Sequence, residues 1–115
     1  MDRTKINFDG REELLLDWLI EDIRHLNDLE TKSLETKFMK FNEEFGEFSA
    51  ETLKFLGHTY KEYNKDHLKE EMADTLQCLL SIFIDLGEKT NIDIVEDILP
   101  EVLKKNQKCK RNKKQ

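Results

Sequence analysis

Apolar residues recur along this chain at helical spacing in four stretches, and no stretch alternates convincingly as a strand would. The first covers residues 11–29, where Leu14, Leu15, Trp18, Leu19, Asp22 and Leu26 trace mostly one side and Asp9 is placed to cap the start. The second covers residues 33–56, with Phe38, Phe41, Phe45, Phe48, Thr52 and Phe55 as its stripe and Gly57 as a C-terminal stop. A polar loop, 58–65, follows. The third is predicted to start at Asp66 as N-cap and end at Gly87, carrying Leu68, Met72, Leu76, Leu79, Phe83 and Leu86. Its second half is apolar nearly all round, which predicts a central or subunit-interface position. The fourth starts at Asn91 or Asp93 and passes Ile94, Ile98, Val102 and Leu103, with Pro100 expected to kink or interrupt it. No repeat or linker divides these pieces, so the pattern predicts one all-α, four-helix bundle-like domain over residues 1–109 and a basic, disordered tail at 110–115.

Composition agrees with a small helical domain: 115 residues, 38% of them charged, with four Gly and one Pro. Charge changes the picture more. Residues 104–115 hold seven of the 19 basic residues and no acid, which leaves 12 basic against 25 acidic residues in 1–103, a net of −13. That balance disfavours a general nucleic-acid binder. Cys78 and Cys109 belong to no CxxC pair, so neither a disulfide framework nor a zinc site is expected. The first residues lack an apolar leader core and no 18-residue apolar run occurs, so a soluble cytoplasmic protein without membrane contact is the expectation.

Two acidic motifs carry the candidate chemistry: Glu43-Glu44-Phe45-Gly46-Glu47 and Glu70-Glu71-Met72-Ala73-Asp74. Acids three apart share a helix face. With Glu44 at zero on a helical wheel, Glu47 falls at about −60° and the phenylalanines at about +40° to +100°; with Glu71 at zero, Asp74 falls at about −60°. Both helices thus place two carboxylates on the edge of a stripe expected to face the core. Packed side by side they gather four anions, which a hard divalent cation such as Mg²⁺ would neutralise. Gly46, between the acids, costs about 1 kcal/mol against Ala and implies close packing or room for a ligand. Among 25 acidic residues such pairs also arise by chance on solvated faces, so the shared phase of the two motifs matters more than either alone.

The EExxE and ExxD motifs, with the lead-in Phe38-Met39-Lys40-Phe41-Asn42 and the continuation Thr75-Leu76-Gln77, resemble those of the MazG-type all-α nucleoside triphosphate pyrophosphohydrolases, whose relatives include dimeric dUTPases and phosphoribosyl-ATP pyrophosphatase. The resemblance covers the second and third helices well and the rest less well. It implies Mg²⁺, for which Mn²⁺ can substitute, held by Glu44, Glu47, Glu71 and Asp74, with Glu43 and Glu70 supporting. It implies cleavage between the α and β phosphates to give a nucleoside monophosphate and pyrophosphate. Glu44 or Glu47 would take the proton of the attacking water, and the sequence does not choose between them. It also implies a homodimer or homotetramer.

Substrate contacts are expected from Trp18 and Phe38 or Phe41 stacking on the base, from Lys40, and from Lys105, Asn106 and Lys108 on the phosphates. Trp18 on an apolar face serves equally well as core, and the C-terminal cations equally well as partners of a helix dipole. Val102 and Pro100 depart from the family pattern. His25, His58 and His67 show no ExxH spacing and are expected on the surface or in loops. Two other functions fit the chain: a helical interaction module with a solvated acidic face, and a nucleic-acid accessory protein using the basic tail.

Overall fold

The computed structural model describes residues 14–113, and every regular element among them is helical: α1 Leu14–Leu29, α2 Leu34–Phe55, α3 Lys65–Thr90, a five-residue π-turn Ile94–Ile98, and α4 Leu99–Lys113. The expected cap at Asp9 and start near Arg11 lie outside the described residues. No described helix is long and apolar enough to cross a membrane.

Capping chemistry sets the boundaries. The Ser33 side chain accepts the Thr36 N–H to open α2, and Gly57, at φ 77, follows its C-cap Leu56. Asn64, not Asp66, caps α3: its side chain accepts the His67 N–H at 3.0 Å, and Asp66 falls in the first turn, where its charge favours the helix dipole. Gly87 does not end α3. The helix runs to Thr90, and Asn91 takes the left-handed conformation at φ 59. Gly87 is required for a different reason: a Cβ there would sit 2.3 Å from the Ile92 carbonyl oxygen, in the turn that Ile92 N–H closes on Gly87 O.

Pro100 interrupts the last helix as its chemistry demands. The turn before it widens to π spacing, with Ile98 N–H donating to Asp93 O and Leu99 N–H to Ile94 O, and α-spacing resumes only around the proline. Asp93 caps this turn by accepting from Val95 and Glu96 N–H. α4 continues through 110–113, part of the stretch expected to be disordered; Lys and Arg are good helix formers and favour a helix C-terminus.

α3 is central. It meets α2 on one side, α1 on another and the π-turn near its end, whereas α1 does not reach α2 and α4 meets only the π-turn. The core lies where α1 crosses α3: Ile20, Ile23, Leu80, Ile84 and Ile94 are buried together, flanked by Leu16, Leu19, Phe83 and Ile98. The arrangement is therefore open rather than a closed bundle. Its radius of gyration is 17.2 Å, against about 13 Å for a compact chain of this length.

The antiparallel α2–α3 contact has an unexpected polarity. Its buried α2 side chains are Lys37, Glu44 and Glu51, seven residues apart, facing Glu71, Cys78 and Asp85, also seven apart. The expectation that the phenylalanine stripe faces the core is corrected: Phe45 is 48% exposed, with Met72 and Leu76 similarly open. The Phe45 ring meets Phe41 in a tilted contact at 5.9 Å and Phe48 edge-on at 6.0 Å. α1 covers α3 from a different side, so no element among the described residues covers this stripe.

Candidate functional site

The polar seam brings the two acidic motifs together. Carboxylate oxygens of Glu44, Glu71 and Asp74 lie within 4.8 Å of one another, as do those of Glu43, Glu44 and Glu47. Thr75 fixes the two helices at this height: its hydroxyl donates to Glu71 O at 2.7 Å and lies 3.3 Å from Glu44 O.

Glu44 and Glu71 are alike in detail. Each is over nine-tenths buried, at 6% and 7% exposure. Each has one oxygen held by a base four residues earlier on its own helix: Lys40 Nζ is 2.8 Å from Glu44 Oε1, and His67 Nε2 is 3.2 Å from Glu71 Oε1. Each leaves its other oxygen, Oε2, buried and without a hydrogen-bond partner. Two carboxylates about 5 Å apart repel by on the order of 3 kcal/mol at an effective dielectric near 20, more than an ordinary hydrogen bond returns. Orphaned, buried anionic oxygens converging from two helices are the donor set of a hard cation, so the residues fit Mg²⁺ or Mn²⁺.

The exposed member, Glu47, behaves differently. The negative charge of Glu44, then partial desolvation, then the charge of Glu71 hold its carboxyl above the usual carboxylate range. Lys40 is pushed up by its bond to Glu44 and by the charge of Glu43. Burial, then the charge of Glu44, raises the Cys78 thiol.

Glu51 and His67 were not singled out for this site in the sequence. Glu51 is 1% exposed, accepts from Lys54 Nζ at 2.9 Å and from the Asn64 backbone N–H at 3.2 Å, and lies 3.8 Å from His67 Nε2. The Lys54 bond dominates in holding its carboxyl below the usual range. The available signals were positional: Glu51 falls seven residues after Glu44, and His67 four before Glu71.

A cavity of about 250 Å³ opens beside the cluster, between the end of α1 and the start of α2, with Asn27, Lys37, Lys40, Gln77, Cys78 and Ser81 in its wall. Asn27 and Ser81 are tied together across it, Ser81 Oγ lying 2.8 Å from Asn27 Oδ1. Trp18, 59% exposed, and the exposed Phe38 lie outside this wall, whereas Lys40 joins it to the carboxylates. Lys105, Asn106 and Lys108 are exposed on α4 and do not come near the cluster of their own chain. Glu70 is exposed. Comparison with family models, with curated proteins and with solved structures finds no significant match.

Proposed function

We propose that the protein is a divalent-metal-dependent nucleoside triphosphate pyrophosphohydrolase with a MazG-type fold. One observation carries this reading: the buried, unpartnered Oε2 atoms of Glu44 and Glu71, gathered with Asp74 at the junction of two helices. An ion bound there would hold phosphate oxygens and offset the charge that develops at the α-phosphorus. Glu44, Glu71 and Asp74 serve as its ligands. Glu47, exposed and with raised proton affinity, is the better of the two candidate bases for the attacking water.

Lys40 sits where it can exchange Glu44 for a phosphate oxygen once a cation takes over that carboxylate. The neighbouring cavity, with the Gln77 amide and the Asn27–Ser81 pair in its wall, offers hydrogen-bonding groups to a nucleobase. The uncovered face around Phe45, Met72 and Leu76 supports self-association, through which α4 of another copy could supply Lys105, Asn106 and Lys108.

The test is pyrophosphate release from a panel of NTPs and dNTPs, with Mg²⁺ and with chelator, for the wild type and Glu71→Gln. Metal-dependent release that the variant loses is the expected result. No release from any nucleotide would overturn the proposal in favour of a helical interaction module.

A further inference from the structure

We propose that Glu51 is a positioning residue for the cation site: acting through Asn64 and His67, it sets the direction in which Glu71 presents its free oxygen to the cluster. The inference rests on the metal-dependent reading above and adds to it a residue that neither acidic motif contains.

Glu51 is itself no ligand. At 1% exposure it is the most deeply buried carboxylate among the described residues, yet both its oxygens are engaged, Oε2 by Lys54 Nζ at 2.9 Å and Oε1 by the Asn64 backbone N–H at 3.2 Å. Glu44 and Glu71, by contrast, each keep one buried oxygen without a partner. Taking an anion out of water is costly, and a Glu–Lys pair on the outer face of α2 would avoid that cost.

What this burial secures is the end of the α2–α3 loop. Asn64 is the residue on which α3 starts: its side chain accepts the His67 N–H at 3.0 Å, and its carbonyl accepts the Leu68 N–H at 3.0 Å. Glu51 holds the same residue by its own N–H, from thirteen positions away, so the first turn of α3 is tied to the body of α2 instead of fraying.

His67 stands in that turn with half of its side chain exposed, so its backbone, more than packing, holds the ring in place. From there Nε2 meets Glu71 Oε1 at 3.2 Å. With Oε1 engaged the carboxylate plane is set, and Oε2 is left buried and free for the cluster with Glu44 and Asp74. Thr75 already fixes the height of the Glu71 backbone against α2. The relay from Glu51 therefore governs the rotamer of Glu71 rather than the register of the helices, and its loss is read in cation affinity more than in fold.

The experiment is calorimetric titration of Mn²⁺ into the full chain, wild type and variants, each checked for helical circular dichroism and held well below its melting temperature. Glu51→Met should weaken binding about tenfold or more, whereas Glu51→Gln, which loses the ion pair with Lys54 but still offers Asn64 an acceptor, should stay within about threefold of wild type. In a His67→Ala background Glu51→Met should weaken binding no more than about twofold further, because the relay is already cut. Asn64→Ala, at an exposed position, removes the middle link and should weaken binding about as much as His67→Ala, so the relay is tested even if Glu51→Met folds poorly. Glu51→Met or Asn64→Ala binding as tightly as wild type, Glu51→Gln weakened as much as Glu51→Met, or equal losses with and without His67 would each overturn the inference and leave the carboxylate site standing. Wild-type protein that takes up no Mn²⁺ would overturn both.

Discussion

Lys37 and Asp85 form an ion pair at 3.1 Å in the same α2–α3 seam as the carboxylate cluster, with side-chain exposures of 8% and 13%. Asp85 is also bonded to Lys89. Lys37 lies seven residues before Glu44 and Asp85 seven after Cys78, so the pair anchors one end of a seam whose middle carries like charge. Attraction at this end offsets repulsion further along. Asp85→Ala strands the buried Lys37 ammonium and should destabilise the fold by about 3 kcal/mol, whereas Lys37→Ala leaves Asp85 with Lys89 and should cost less. Joint replacement by Lys37→Met and Asp85→Leu should cost much less. Urea unfolding of the three variants measures the difference. Equal losses in the single and double variants would show that the pair does not act as a unit.

The seam also predicts how stability responds to acid. Bonds from Lys89 and Lys37 lower Asp85, and the Lys54 bond lowers Glu51, relative to the unfolded chain. Groups with depressed folded pKa stabilise fully above their unfolded values, near 4, and lose that contribution as pH falls through the folded values. Glu47 has the opposite sign. Its raised carboxyl makes the folded state bind its proton more tightly, so stability falls as pH rises through its folded pKa. Glu47→Gln should therefore raise the metal-free melting temperature at pH 7, with the gain shrinking as pH drops toward 4. A gain independent of pH would rule out the electrostatic cause.

Much of this arrangement was legible in the sequence, and the part that was not has a physical reason. Helical periodicity located all four helices, and the ExxE and ExxD spacings placed Glu44, Glu71 and Asp74 at one point because both helices share a phase. The same periodicity could not tell which face of the α2–α3 hairpin turns inward. It favoured Phe41, Phe45 and Phe48, because apolar faces usually bury, whereas within the chain the helices meet through Lys37, Glu44 and Glu51. Nor does a local pattern reveal Gly87, whose need arises from a carbonyl five residues away, or Asn64, which competes with Asp66 as a cap by a backbone geometry that neither residue type dictates.

Gly46 and Gly87 should respond to alanine in opposite directions. Nothing lies within 4 Å of a Cβ built on Gly46, so the close packing considered for it is absent. Gly46→Ala should stabilise α2 by about 0.5 to 1 kcal/mol, the usual helix-interior gain. Gly87→Ala should cost about 1 to 3 kcal/mol, because a backbone carbonyl stands in the way. Thermal melts of both variants check this. A Gly46→Ala protein that is more stable yet binds the cation less well would mean that the open space beside the acids is used by the ligand.

The aromatic face gives the last prediction. Phe45 is half exposed, and its ring lies against those of Phe41 and Phe48 on a face that no element among the described residues covers. Contiguous apolar surface of this kind marks an association site. Phe45→Glu should shift the protein toward monomer in light scattering, because a carboxylate placed in the middle of such an interface loses its water without gaining a partner. The variant should keep its helical circular dichroism, since a half-exposed side chain adds little to the core of Ile20, Ile23 and Ile84. It should also keep cation affinity if the ion is held by Glu44, Glu71 and Asp74 of one chain, so that measuring both properties on the same preparation separates assembly from metal binding. Loss of helicity would instead place Phe45 in the fold of the single chain, and unchanged mass would remove this face as the interface.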